Sequence, residues 1–477
     1  MGNKMKKQMK IALSVLTLAL TSQAYADNLL DVYRLAVDSD PTFLASEAGT
    51  LATSERVNQS MANLLPQLRG SYSYSKSSSD SSGLTTIFGA VDNPSTPDVD
   101  ESQPRSSANS SDTTSSGYSI NLTQEIYNHS SWLNLRQSEK RALQAKVNHE
   151  GSKQNLIIRA AEAYFNVLAA EDSVAFSKAE TEAVSKELAQ TKQRFDVGLI
   201  AITDVHEAQS RYDLAVANQI AARNAYDNTH ELLQLITGRY HYDLLGLKKD
   251  IPLRNPDPED IKKWVKRAET NNISIKASRI GLDVAKQNIS IAQAGHYPTI
   301  DLTASYSDGD GDTDSSGTQF FGDLPITSKT NSDGDRQNSN ISLNLNIPLY
   351  SGGRTNSQVK ESQNLFQQAA HNLEANRRQA VSLTRSSYLG VIAAVSSVKA
   401  LKQAVISSEK SLEATQAGFE VGTRTIVDVL LQTQILFNSK RQYARARYDY
   451  VLNTLRLKQA TGLLNKSDLQ QVNQLLR

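Results

Sequence analysis

The sequence lacks cysteine altogether, so no disulfide can stabilise the folded chain. Proline is scarce and unevenly placed: none of the eleven lies between Pro104 and Pro252, and none follows Pro348. Because proline breaks helix interiors, both proline-free stretches permit very long helices. Glycine is equally sparse in the first stretch, where residues 129–237 contain only two. These absences favour elongated helices that are stabilised by packing and assembly.

Neither sign of charge is in excess, and long apolar runs are missing beyond the N-terminus. Four lysines, an apolar run from Ile11 to Leu20 and the motif Ala24-Tyr25-Ala26 predict a secretory signal peptide over residues 1–26. The apolar run is too short for a membrane anchor. Four of the 51 basic residues and none of the 50 acids lie in this segment, so the mature chain carries a formal charge of −3. We therefore expect no nucleic-acid partner and no further membrane-spanning helix.

Long helices are predicted in two pairs within the proline-free stretches. The four segments are about 129–195, 204–237, 352–419 and 428–461. In the second segment, apolar and small residues recur at alternating spacings of three and four from Val205 to Ile236, which is typical of a coiled-coil seam. Shorter helices are predicted at 42–64 and 260–295, and each could stack end to end on the shorter helix of a pair.

The two pairs belong to an internal repeat with an offset of 224 residues. Phe195-Asp196-Val197-Gly198 returns as Phe419-Glu420-Val421-Gly422. One unit that occurs twice predicts two similar turns in each subunit. The predicted segments are repeat 1 at 27–250, repeat 2 at 251–463 and a C-terminal tail at 464–477.

Four short segments alternate apolar and polar residues, which is the period of a β-strand with one apolar face. They begin at Leu68, Tyr118, Ile300 and Ile341. Strands of about ten residues with this alternation match transmembrane β-barrel strands, although a soluble sheet packed on the helices would show the same pattern. The segments at about 75–117 and 307–338 are rich in Ser, Gly, Asp and Thr, and they are predicted to be exposed loops.

Together these elements predict a mixed α/β membrane protein. Four strands cannot close a membrane barrel, and an open sheet edge is not stable in lipid. Barrels begin at about eight strands, so two, three or four subunits would each satisfy this requirement. The helices would then continue away from the membrane as a shared hollow cylinder.

Candidate catalytic, metal and cofactor motifs fail on their spacing. His206 and His230 each precede a glutamate but lack the second histidine of a zinc-protease helix. The aspartates from Asp308 to Asp314 lack the glycine of a calcium loop, and we interpret them as a solvated acidic segment. We therefore expect no catalytic residue, no metal site and no cofactor. A trimeric coiled-coil surface adhesin or scaffold is the alternative without catalysis, but the alternating strands argue against it.

Several motifs resemble the TolC-like outer-membrane efflux channel family over essentially the whole mature chain. The resemblance rests on Ala163–Leu168, Arg194–Val205 and Val421–Leu430. It implies a homotrimer with a twelve-stranded transmembrane β-barrel, continued by a long periplasmic coiled-coil barrel. Residues 239–259 would form an equatorial belt around that barrel.

The same resemblance implies a function and its partners. The chain would be the outer-membrane exit duct, without enzyme activity, of tripartite efflux and type I secretion systems. Its partners would be outer-membrane lipid, a periplasmic adaptor (membrane-fusion) protein and an inner-membrane RND-, ABC- or MFS-type transporter. Its cargo would be drugs, detergents and proteins.

The resemblance also assigns candidate residues near the two hairpin turns. Gly198 and Gly422 match the tips that dock the adaptor. The residues that match the entrance latch are Thr203, Asp204, Glu187, Gln416, Phe419 and Arg424. Among them, Arg424 is predicted to pair with Asp204 through charge-assisted hydrogen bonds. Phe419 replaces a tyrosine of the family pattern, so a link through its hydroxyl is lost. Glu187 and Gln416 exchange the acid and the amide of a family pair, and their hydrogen bond can survive that exchange.

Asp428 matches a pore constriction in the same family. Leu431 replaces the second of two aspartates, so three copies would make one carboxylate ring instead of two. We expect weaker cation selectivity than in two-ring relatives. Asp428 also fits a capping box with Thr425 at a helix start, and the sequence leaves both roles open.

Overall fold

The computed structural model describes residues 26–86, 104–321 and 324–477. Apart from Ala26, the predicted signal peptide lies outside the described residues. In chain order the elements are α1 (Leu29–Ser39), α2 (Pro41–Ala62), β1 (Gln67–Thr86), β2 (Pro104–Asn128), α3 (His129–Asp196), α4 (Ile202–Thr237), α5 (Ile261–Asn271), α6 (Ile273–Ala294), β3 (Thr299–Phe321), β4 (Leu324–Asn346), α7 (Arg354–Glu420), α8 (Ile426–Ala460) and α9 (Lys466–Asn473).

Four long helices form where the proline-free stretches predicted them. Helices α3 and α7 contain 68 and 67 residues, and α4 and α8 contain 36 and 35. Each end lies within two residues of its predicted position, so the prediction of these helices is confirmed. At 1.5 Å per residue, α3 and α7 are each roughly 100 Å long.

Asn272 divides the single helix that was predicted over 260–295 into α5 and α6. Its backbone leaves the helical region at ψ 130°. Its Oδ1 accepts the amide of Ile275 at 3.2 Å, and its Nδ2 donates to the carbonyl of Ala460 at 2.8 Å. The prediction of one helix was wrong because the Asn272 side chain caps the start of α6 and also satisfies the end of α8.

The four strands form one antiparallel sheet in the order β1-β2-β3-β4. They contain 20 to 25 residues, about twice the predicted length. In the β3–β4 pair, Leu302 lies opposite Leu343 and Ala304 lies opposite Ile341. Since side chains alternate between the two faces of a strand, these apolar residues share one face of the sheet.

The loops predicted at 75–117 and 307–338 are wrong for most of their length. β1 and β2 occupy both ends of the first segment, and β3 and β4 leave only 322–323 between them. Strand pairing continues through polar positions such as Ser75 and Ser115, whose hydroxyl oxygens are 2.7 Å apart. Ladder hydrogen bonds use backbone groups, so a polar composition marks an exposed strand and does not end it. Residues 87–103 and 322–323 of these predicted loops lie outside the described residues.

The chain divides into two compact units. Among the described residues, one unit contains 26–53, 141–283 and 367–477, and the other contains 54–86, 104–140, 284–321 and 324–366. The first unit holds the main hydrophobic core, in which Tyr164 and its repeat counterpart Tyr388 are both buried. The C-terminal tail belongs to this core, because Leu469 of α9 is fully buried there.

In the described part of the chain, α7 alone is long and apolar enough to cross a membrane by length and composition. A helix that packs in the core of a protein can have the same composition. Helix α7 contributes Val391, Val395 and Val398 to the main core, which accounts for part of its apolar character.

Candidate functional site

The turns that follow α3 and α7 have the same geometry. Gly198 and Gly422 have φ angles of 77° and 79°, in the left-handed region that glycine adopts most readily. The amide after each glycine donates to the carbonyl five positions earlier, at 2.9 Å in both turns. This is the long hydrogen bond of a Schellman motif, which ends a helix. The repeat therefore builds two matching hairpins, hairpin 1 from α3 and α4 and hairpin 2 from α7 and α8.

A small hydrophobic cluster near these turns packs the two hairpins together, and we name it the tip cluster. Its members come from all four long helices. They are Val184, Leu188, Ala208, Phe419, Ile426, Val429 and Leu430. Tyr212 and Leu412 are partly buried against it. Burial of these side chains stabilises the pairing of the two hairpins within one subunit.

Phe419 lies inside the tip cluster and is only 8% exposed. The guanidinium carbon of Arg194 is 4.3 Å from the centroid of its ring. Nη1 of Arg194 also donates to the carbonyl oxygen of Phe419 at 3.4 Å. The residue that lost the family hydroxyl thus contributes an apolar ring and a cation–π contact.

Glu187 is buried at the interface of α3 and α8. The hydroxyl of Thr433 donates to its Oε1 at 3.1 Å. Burial raises the pKa of the Glu187 carboxyl, and the contacts with Thr433 and Gln416 partly oppose that rise. Its Oε2 has no hydrogen-bond partner among the residues that the structure describes. The structure thus brings Gln416 near Glu187, as predicted. The hydrogen bond with a measured distance is the one from Thr433.

Asp428 forms the capping box that its sequence pattern permitted. Its Oδ2 accepts the backbone amide of Thr425 at 3.0 Å, and the Thr425 hydroxyl accepts the Asp428 amide at 3.3 Å. The Thr425 hydroxyl also donates to Oδ2 at 3.0 Å. The two hydrogen bonds that the amide and the hydroxyl of Thr425 donate to the carboxylate, together with the nearby charge of Arg424, lower the pKa of Asp428. The carboxylate is thus fixed at the start of α8 as an anion, where the helix dipole favours it.

Hairpin 1 lacks the corresponding cap at the start of α4. Ala201 occupies the capping position that Thr425 has in hairpin 2, and it makes no side-chain cap. Thr203 and Asp204 lie in the first turn of α4. Asp204 is the repeat counterpart of Asp428, but it is not engaged in a capping box.

Arg424 and Asp204 are not brought together within the subunit. No ion pair joins them in residues 26–86, 104–321 and 324–477. Arg424 is exposed, and its side chain packs over Gly418, where a Cβ would lie 2.8 Å from Arg424 Cγ. The predicted pair between Arg424 and Asp204 stays a prediction, and within one chain this geometry does not form it.

Comparison with known proteins identifies the family to which this chain is related. The family model described as outer membrane efflux protein matches residues 32–239 and 264–463. The chain belongs to the outer membrane efflux protein family. This membership confirms the predicted outer-membrane location and the predicted role as a duct for efflux.

Curated relatives align with nearly the whole chain. The outer membrane protein TolC of Escherichia coli (strain K12) is 39% identical over 474 residues, which cover 99% of this chain and 90% of TolC. TolC of Vibrio cholerae is 37% identical over 98% of each protein. The alkaline protease secretion protein AprF of Pseudomonas aeruginosa is 24% identical over 98% of this chain and 91% of AprF.

Solved structures show the same fold. The crystal structure of the Campylobacter jejuni CmeC outer membrane channel superposes with a TM-score of 0.69, covering 94% of this chain and 89% of CmeC. The two sequences are 16% identical, so this likeness supports the fold alone. The predicted class, a four-stranded sheet with long paired helices, is confirmed.

Sequence reasoning missed two residues of this site. Arg194 has the repeat counterpart Gly418, so a basic residue at this position occurs in only one hairpin, and that difference was a usable signal. No pattern distinguished Thr433 from the other polar residues of α8. Its importance follows from the buried carboxylate that it contacts.

Proposed function

We propose that three copies of the chain join into one duct through the outer membrane. The observation that carries this proposal is the four-stranded sheet, in which β1 and β4 are the edge strands of the described part of the chain. An open strand edge leaves backbone groups unpaired, which is too costly in lipid. Three sheets of four strands would close as a twelve-stranded barrel, and the helices would line the periplasmic part of the duct.

Exposed apolar side chains on the sheet support a surface that faces lipid. Leu68, Ile341 and Leu343 are 71%, 79% and 66% exposed in the single chain. In strands, such residues alternate with polar ones that face the lumen of a barrel. Outer-membrane lipid would bury the apolar set, which explains why a single subunit leaves it uncovered.

The proposed partners are a periplasmic adaptor protein and an inner-membrane transporter of the RND, ABC or MFS type. The duct would dock the adaptor at Gly198 and Gly422, and the transporter would supply the energy. AprF is named for protease secretion, which supports type I secretion of proteins beside export of drugs and detergents.

The proposed entrance lies at the hairpin tips. The latch residues are Thr203, Asp204, Glu187, Gln416, Phe419 and Arg424, and Asp428 forms the constriction. Since Asp204 is not used as a cap and Arg424 is exposed, these two can pair between neighbouring subunits by charge-assisted hydrogen bonds.

Two measurements on detergent-extracted protein test this function. Native mass spectrometry should give a trimer, and the trimer should produce steady conductance in a planar lipid bilayer. A trimer without conductance would favour the adhesin or scaffold. A freely soluble monomer would contradict the duct.

A further inference from the structure

The contact between Arg194 and Phe419 joins the two hairpins at their tips. Arg194 lies in the last turn of α3, and Phe419 lies in the last turn of α7. The guanidinium group is 4.3 Å from the ring centroid and also donates to the Phe419 carbonyl at 3.4 Å. One side chain of hairpin 1 therefore holds both the ring and the backbone of a single residue of hairpin 2.

The internal repeat makes this contact one-sided. The counterpart of Arg194 is Gly418, which has no side chain to offer. The counterpart of Phe419 is Phe195, which is 38% exposed whereas Phe419 is 8% exposed. The reciprocal contact, from hairpin 2 to hairpin 1, therefore cannot form. Hairpin 1 supplies the cation, and hairpin 2 is the element that it holds.

The surroundings favour a strong contact. The Phe419 ring is buried in the tip cluster, and cation–π contacts gain strength when they are shielded from water. The carbonyl of Arg194 accepts the amide of Leu199 at 2.9 Å in the Schellman turn, so the backbone that carries the guanidinium is itself fixed. A positive charge in the last turn of α3 also interacts favourably with the helix dipole.

We infer that Arg194 is a positioning residue for the entrance, which holds the tip of hairpin 2 closed through Phe419. This inference rests on the proposed duct function. The contact of Arg194 with Phe419 would link the two hairpins at the residue where the family hydroxyl is missing. Loss of a cation–π contact of this kind shifts a two-state equilibrium by roughly twofold to thirtyfold.

The conductance of reconstituted trimers tests the role of the contact between Arg194 and Phe419. Arg194→Ala and Phe419→Leu should each raise the time-averaged conductance by a factor within that range, and the double variant should add little to either. Arg194→Lys keeps the charge but loses the planar guanidinium, so it should restore part of the closed state. The matched control is Arg223→Ala, since the guanidinium carbon of Arg223 lies 5.2 Å from the ring centroid of Tyr226, a residue of its own helix α4. Unchanged conductance in Arg194→Ala, or fully additive effects in the double variant, would overturn the inference.

A distance measurement separates this inference from the duct itself. The chain has no cysteine, so Val197→Cys and Val421→Cys give a clean pair of spin-label sites on the exposed tips. Arg194→Ala should broaden and lengthen the distance between the labels in folded trimers, and Arg223→Ala should not. An unchanged distance distribution would overturn the proposed role of Arg194 even if the trimer conducts. A changed distance distribution in trimers that never conduct would support the contact between Arg194 and Phe419 and would contradict only the proposed duct function.

Discussion

The Thr433 hydroxyl lies 3.1 Å from Oε1 of Glu187 and 2.9 Å from the carbonyl oxygen of Val429. A hydroxyl has one hydrogen, so Thr433 can donate to only one of these acceptors at a time. When Thr433 donates to Val429, a protonated Glu187 can donate to Thr433 in return. Burial of the Glu187 carboxyl disfavours its charge, and the contact with Thr433 opposes that effect only in part, so this buried position suits a neutral Glu187 better than a charged one.

This geometry predicts that the hairpin contact weakens as the pH rises. Burial raises the pKa of Glu187 above its ordinary value of 4.5. An acid whose pKa is raised by folding stabilises the fold fully below its unfolded pKa, which is 4.5 here. That stabilisation is lost as the pH rises through the raised pKa of the folded state. Amide hydrogen exchange around Glu187 and Thr433 should therefore become faster relative to a pH-corrected reference. Glu187→Gln should remove this dependence, because the amide is neutral throughout.

The control for this prediction is Glu207→Gln, because the Glu207 side chain is 44% exposed. This variant should keep the pH dependence of the parent chain. If Glu187→Gln keeps that dependence as well, Glu187 is not its source.

Asp428→Asn should reduce cation selectivity and block by multivalent cations in bilayer recordings. An anionic ring attracts cations, and only one ring is present in each trimer of the proposed duct. The same substitution also weakens the capping box. Thr425→Ala isolates that second effect, because it removes the cap at a cost of about 1 kcal/mol and leaves the carboxylate in place. Equal selectivity in Asp428→Asn and the parent chain would remove Asp428 from the constriction.

Arg424→Ser should increase conductance if Arg424 latches onto Asp204 of a neighbouring subunit. Removing one charge of the pair opens the latch, so Asp204→Asn should act in the same direction. The double variant should then resemble either single variant, since both break one interaction. Lys410→Ser is the matched control, because Lys410 is exposed on α7, outside the turn that holds Arg424, and pairs with Glu413 of its own helix. Normal conductance in Arg424→Ser would exclude it from the latch.

Gly422→Ala should weaken adaptor binding by straining the turn. A Cβ at this position meets nothing within 4 Å, so the cost comes from the positive φ of 79° alone. That cost is about 1–2 kcal/mol for a residue with a Cβ. Gly422→Asn should retain more binding, because asparagine tolerates the left-handed region. Crosslinking followed by co-purification of the adaptor measures both variants, and equal binding by Ala, Asn and Gly would show that docking ignores the turn geometry.

Leu343→Arg should impair insertion of the proposed barrel. A charge on the lipid-facing side costs about 2–4 kcal/mol near the middle of the bilayer. Asn344→Arg is the matched control, because adjacent strand residues face opposite sides of the sheet. The yield of folded trimer in the outer membrane measures both. Equal yields would contradict a lipid-facing position for Leu343.

Periodicity explains why the helices and strands could be located from the sequence. Proline-free stretches and the spacing from Val205 to Ile236 predicted α3, α4, α7 and α8 to within two residues. Strand positions followed from alternation, but strand ends did not. The polar residues that continue the strands pair through backbone groups, which carry no sequence signature.

In the candidate site, too, the features that depend on neighbouring residues could be predicted from the sequence, and the contacts between distant residues could not. The turn glycines and the capping box of Thr425 with Asp428 are local, and both formed as their patterns indicated. The contacts of Arg194 and Glu187 join residues more than 200 positions apart. No local pattern records such a contact.

The sequence by itself determined the repeat, the lengths of the four long helices, the apolar face of the strands and the family of this chain. Each of these depends on residue types at short, regular spacings. Tertiary structure alone decided that Phe419 is held by Arg194 and that Glu187 is buried against Thr433. Those outcomes depend on which side chains from different helices share one interior, and burial there sets both the strength of a cation–π contact and the charge state of an acid.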